Sequence, residues 1–70
     1  MMMKIKIFLN GELLEIDSGL SISQLLINFE IDPKKIAIEK DLEIINPQDF
    51  NKIILTENSK VEIVHFIGGG

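Results

Sequence analysis

The sequence predicts an α+β domain, a mixed sheet of four to five strands with one main helix across one face, and three observations carry that prediction. Apolar and polar residues alternate on either side of Asn10-Gly11, as in two antiparallel strands joined by a tight turn. Ile22, Leu25, Leu26 and Phe29 fall at i, i+3, i+4 and i+7, which is one apolar stripe on a helix. After Pro33, short apolar runs separated by Asp, Asn and Pro return the chain to extended structure.

In chain order, residues 4–9 place Ile5, Ile7 and Leu9 on one face of the first strand. Asn10-Gly11 is the pair that best tolerates the positive φ angles of a type I′ turn, and residues 12–16 return as a second strand with Leu14 and Ile16 inward. Asp17-Ser18-Gly19 breaks that strand. Ser21, three residues before Gln24, predicts a capping box in which hydroxyl and amide each satisfy a free backbone N–H at the helix start. Ile31-Asp32-Pro33 is expected to end the helix, because the residue before proline is pushed out of the helical region. Residues 36–39 form the third strand, Asp41-Leu42-Glu43 a polar turn, and Ile44 and Ile45 a short extended continuation. Residues 47–51 suit a single helical turn capped by Asn46, with Pro47 at its first position. Residues 53–55 lead to a second tight turn at Glu57-Asn58-Ser59-Lys60, and residues 61–67 form the last strand.

The last strand needs a partner, and in a small α+β domain the simplest is the first strand, laid parallel to it at the sheet centre beneath the helix. This is the β-grasp arrangement. It gives one domain over residues 1–67, followed by a flexible glycine tail at residues 68–70.

A 70-residue chain buries only roughly 60% of its unfolded surface, so the core must be efficient, and 46% hydrophobic residues supply it. Without Cys there are no disulfides, thiolate metal sites or cysteine nucleophile. The formal charge of -4 and the absence of Arg argue against a nucleic-acid partner and favour a protein with a basic surface. Lys4 and Lys6 interrupt the apolar start MMMKIKIFL, which reads as mature protein rather than a leader. No apolar run approaches a membrane span, so a cytoplasmic location without membrane attachment is expected.

Chemistry-bearing residues are sparse. His65 has no neighbouring nucleophile or ligand set and reads as a strand residue; Glu39, Asp41 and Glu43 read as a solvated acidic surface rather than a cation site. Gly68, Gly69 and Gly70 are different. Lacking Cβ, they can pass through a channel too narrow for other residues and carry a terminal carboxylate into another protein's active site. Activation of that carboxylate as an acyl-adenylate would make it open to a sulfur or amine nucleophile.

A strand running into terminal glycines resembles the ubiquitin-like sulfur carriers of the ThiS/MoaD family, and the chain is most similar to the members serving thiamine biosynthesis. The resemblance extends to Gly19-Leu20-Ser21-Ile22-Ser23-Gln24-Leu25-Leu26, similar to the family's G-x-T/S-V/I-x-x-L-L, and to Ile45-Asn46-Pro47 leading to Asp49-Phe50, similar to V-P-R-x-x-W/F. Gln48 stands where the family commonly has Arg, and Glu39 where it commonly has Asn. The resemblance implies that the Gly70 carboxylate is adenylated by a ThiF-like E1-type adenylyltransferase and converted to a thiocarboxylate by a persulfide donor system. A ThiG-like thiazole synthase would take the sulfur. It implies no intrinsic cofactor, ATP with Mg being used by the activating enzyme, and a protein cosubstrate rather than an enzyme.

Alternation in the last strand turns Val64 and Phe66 away from the helix, and Phe8 lies on the same side of the first strand. Phe66, Val64 and Phe8 are therefore expected to form one partner-binding patch near the tail, rimmed by Lys4, Lys6 and Glu62. The alternatives are the small subunit of a molybdopterin synthase, another ubiquitin-like sulfur carrier, or a β-grasp interaction module without carrier chemistry.

Overall fold

The computed structural model describes residues 3–66. Strands β1 (Lys4–Leu9) and β2 (Glu12–Asp17) form the first hairpin, helix α1 (Ile22–Asn28) follows, then β3 (Ile36–Lys40), β4 (Glu43–Ile45) and β5 (Lys60–His65), with 3-10 turns at Pro33–Lys35 and Pro47–Asp49. The sheet order is β2-β1-β5-β3-β4. Strand β5 lies parallel to β1 and antiparallel to β3, so the last strand occupies the centre as expected. Its Val61 and Ile63 are buried with Ile7, Ile16, Ile36 and Ile38 from the sheet and Ile22, Leu25 and Leu26 from the helix.

Asn10 links this centre to the first hairpin. At φ 49°, followed by Gly11 at φ 83°, it forms the type I′ turn. Its side chain then accepts from the Ile63 N–H at 2.7 Å and donates to the Ile63 carbonyl at 3.3 Å, mimicking a strand residue where β1 has ended. Asn10→Ala is expected to destabilise the domain by about 2–3 kcal/mol, from two lost part-buried hydrogen bonds and an unfavourable left-handed Ala. Asn10→Gly, which relieves the backbone penalty, should cost about 1 kcal/mol less. Urea unfolding of both variants checks this; equal costs would mean that the φ angle contributes nothing.

The helix start matches half of the expected capping box. Ser21 Oγ accepts from the Gln24 N–H at 3.1 Å, but the two preceding free N–H groups, of Ile22 and Ser23, donate to the carbonyls of Ile53 and Phe50. The segment at residues 53–55 passes beside the helix start with one bridge, Ser21 to Ile54, and buries Leu55.

The helix end departs from expectation. It stops at Asn28, five residues before Pro33, with Glu30 in the left-handed region at φ 57°. The Glu30 N–H donates to the Ile27 carbonyl and the Ile31 N–H to that of Leu26, a Schellman arrangement closed by Ile31 packing on the core. Phe29, expected on the buried stripe, caps the helix and is 46% exposed.

The β3–β4 connection is a two-residue turn with Asp41 at φ 50° and Leu42 at φ 73°. Asp41 Oδ1 accepts from the Lys60 N–H at 2.9 Å and Oδ2 lies 3.0 Å from Lys40 Nζ. The Lys60 N–H first, and Lys40 second, hold the Asp41 carboxyl below its ordinary value of 3.8. Since the unfolded chain binds this proton more readily, the contribution is complete above the unfolded value and is lost as pH falls through the lower folded value. Asp41→Asn is expected to remove this part of the acid dependence. Melting curves of wild type and variant should differ near neutrality and converge in strong acid, and a constant difference would contradict the assignment.

Candidate functional site at the end of the central strand

Strand β5 delivers the chain to Phe66, where the Phe66 N–H donates to the Lys35 carbonyl at 2.8 Å. The backbone is therefore held by the β3 side of the sheet up to the last described residue. Phe66 is 60% exposed and borders a shallow groove of about 570 Å³ walled by Pro33, Lys34, Pro47, Phe50 and Asn51. Both 3-10 turns reach this groove. Asp32 and Asn46 cap them, accepting from the Lys34 and Gln48 N–H groups, and Pro33 and Pro47 occupy their first positions. The expected turn at Pro47 thus helps to wall the groove beside Phe66. The turn at Pro33 has no local signal of its own, since Asp32-Pro33 announces only the end of a helix.

Ile67, Gly68, Gly69 and Gly70, which carry the expected tail and reactive carboxylate, lie outside the described residues. His65 is exposed on β5 opposite Ile36. Among the described residues no group of three His, Cys, Asp or Glu side chains is gathered to hold a metal ion, and no helix is long and apolar enough to cross a membrane.

The single patch expected from Phe66, Val64 and Phe8 is divided by the strand register. Phe8 stands opposite Lys60, six residues before Phe66, so the two are separated by about 20 Å along the strand. Lys6 and Lys4 lie further still from Phe66. Phe8 instead lines a small depression of about 160 Å³ with Gly11, Lys60 and Glu62. Val64 is 60% exposed on the outer face opposite Ala37, while Phe66 borders the groove with the two 3-10 turns. Alternation places Val64 on the outer face, but Phe66, expected on that same face, borders a groove that Ser23 of α1 and the core residue Phe50 also line. The offset between two parallel strands depends on packing at long range, and no local signal reports it.

A five-stranded mixed sheet with a central parallel pair, one crossing helix and β5 as its middle strand is a β-grasp, ubiquitin-like domain. A thiamine biosynthesis protein (ThiS) from Geobacter metallireducens has the same fold, with a TM-score of 0.82 at 22% identity, covering 94% of this chain and 100% of that one. The ThiS family model matches residues 7–70. The chain belongs to the ThiS family. It is 35% identical over 54 residues to the sulfur carrier protein ThiS of Bacillus subtilis, covering 77% of this chain and 80% of that protein. It is also 35% identical over 65 residues to a thiazole synthase of Magnetococcus marinus, covering 93% of this chain and 20% of that protein. A thiazole synthase of Paramagnetospirillum magneticum is 34% identical over the same length. The chain thus spans about a fifth of the length of these two relatives.

Proposed function

We propose that this protein is a sulfur carrier whose Gly70 carboxylate is converted to a thiocarboxylate that donates sulfur for thiazole formation in thiamine biosynthesis. The observation that carries the reading is the family match, which continues through the glycines to residue 70. The relationship to the Bacillus subtilis carrier supports it. Similarity to part of two thiazole synthases supports a ThiG-like thiazole synthase as the acceptor.

In this reading a Gly70 carboxylate oxygen attacks the α-phosphorus of ATP on a ThiF-like adenylyltransferase, with Mg, and pyrophosphate leaves. Hydrosulfide attacks the acyl carbon of the adenylate, the C–O bond to AMP breaks, and the thiocarboxylate remains. With a persulfide donor, the acyl persulfide formed first is cleaved by a thiol that takes the second sulfur into a disulfide. The chain's own part is to present the carboxylate and to be held, so it acts as a cosubstrate rather than a catalyst.

The test is to incubate the protein with ATP, Mg, a ThiF-type enzyme and sulfide, then record the intact mass and fragment the C-terminal peptide. The expected result is replacement of one oxygen by sulfur at Gly70. No replacement under conditions that load the Bacillus subtilis carrier would overturn the reading and leave a β-grasp interaction module.

A further inference from the structure

Among the described residues the sheet ends in two edge strands, β2 on one side and β4 on the other. An open edge invites pairing with another chain, and proteins blunt it with very short strands, Lys, Pro or bulges. The β4 edge is only three residues long. The β2 edge has none of these devices: it runs for six residues, Glu-Leu-Leu-Glu-Ile-Asp, in unbroken register with β1.

The hairpin decides which backbone groups of β2 face outward. Across the Asn10-Gly11 turn Leu9 and Glu12 form a hydrogen-bonded pair, and so do Ile7 with Leu14 and Ile5 with Ile16. The Ser18 N–H, donating to the Met3 carbonyl at 2.8 Å, continues that series, and the Phe8 N–H turns the other way to the Ser59 carbonyl. The N–H and C=O groups of Leu13, Glu15 and Asp17 therefore point out from the free edge, and they have no backbone partner among the described residues. Side chains of these three residues lie on the outer face, and those of Glu12, Leu14 and Ile16 on the helix side. On the helix side two depressions, of about 300 and 220 Å³, follow the edge, and Leu14 and Phe29 line both.

Charge selects what this edge can take. Asp17 forms an ion pair with Lys4, whereas Glu12 and Glu15 form none among the described residues, and β2 has no basic residue. Pairing with β2 of a second copy would bring three carboxylates from each strand to one seam, and like charges opposed across strands destabilise a sheet. A basic strand suits it. On its inner edge β2 already pairs with one, Lys-Ile-Lys-Ile-Phe-Leu, which sets Lys4 opposite Asp17 and Lys6 opposite Glu15.

We propose that the free edge of β2 is a strand-addition site for an extended segment of another protein in which basic and apolar residues alternate. The segment runs antiparallel to β2 and bonds the backbone of Leu13, Glu15 and Asp17. Its basic side chains lie on the outer face beside Glu15 and Asp17, and its apolar ones enter the two depressions beside Leu14. Strand addition at β2, two strands from β5, is independent of the carrier reading.

The experiment titrates a dye-labelled, end-capped peptide of alternating lysine and valine with the full-length protein, read by fluorescence anisotropy at two salt concentrations. Binding is expected to weaken with salt, and to be about tenfold weaker in Glu12→Gln/Glu15→Gln. Two modified peptides remove any dependence on how a variant folds. In antiparallel pairing the lysine N–H groups meet the β2 edge and the valine N–H groups face away. N-methylation at the lysines should therefore weaken binding at least about tenfold, and N-methylation at the valines should leave it unchanged. Amide hydrogen exchange should slow at Leu13, Glu15 and Asp17 when the parent peptide binds. No binding of the parent peptide, unchanged affinity in the double variant, any other ranking of the methylated peptides, or slowing confined to amides of another strand would overturn the proposal.

Discussion

Deletion of Gly70 is expected to abolish sulfur loading while leaving the folding stability of the domain unchanged. The deletion retracts the chain end by one residue, about 3.5 Å. A misplacement of only 1 Å at a reacting centre costs about 100-fold in rate, so the loss should exceed that by a wide margin. Stability should remain within about 0.5 kcal/mol of wild type, since every residue of the buried cluster lies between Ile7 and Ile63. Single-turnover loading followed by mass, with urea unfolding of the same sample, reads both halves. Loading of the shortened protein at the wild-type rate would show that the length of the tail does not position the reacting group.

Ile7→Ala is expected to have the largest effect on the fold. Ile7 is fully buried on β1, one of the two central parallel strands. Truncation of such a side chain costs about 2–5 kcal/mol through lost transfer energy and the remaining cavity. A domain of this size has only roughly 4–10 kcal/mol in total, at about 0.05–0.15 kcal/mol per residue. The variant should therefore be marginally folded at 25 °C, with a urea midpoint far below wild type. Leu13→Ala on the same hairpin serves as the control, because Leu13 is 59% exposed and its loss should stay within about 0.5 kcal/mol. Similar costs at both positions would contradict the inward-outward assignment of the sheet.

The first hairpin and the helix start were legible in the sequence because their signals are local. Asn10-Gly11 suits its turn by backbone preference, and Ser21 reaches an N–H only three residues away. The helix end was not legible. Glu30 takes a left-handed φ that a glycine would have announced, and it is held there by hydrogen bonds to the last turn and by Ile31 entering the core. The same limit applies between residues 41 and 55. Asp41 and Leu42 both take positive φ without glycine, held by Asp41 bonding the Lys60 backbone across 19 residues.

The candidate site divides in the same way. Its proposed chemical end, three glycines after an apolar strand, rests on composition and order alone. The inward side of β5 can be read directly, since alternate residues of a strand face opposite ways and Val61 and Ile63 are the pair that a core demands. The distances between Phe8, Val64 and Phe66 depended on how far each strand slides against its neighbour. Periodicity and turn chemistry act over a few residues and determined the elements, their order and their buried faces. Register, the groove at Phe66 and the depressions beside the β2 edge were decided by tertiary structure, because they follow from the joint packing of segments up to about fifty residues apart in the chain, such as Asn10 and Ile63.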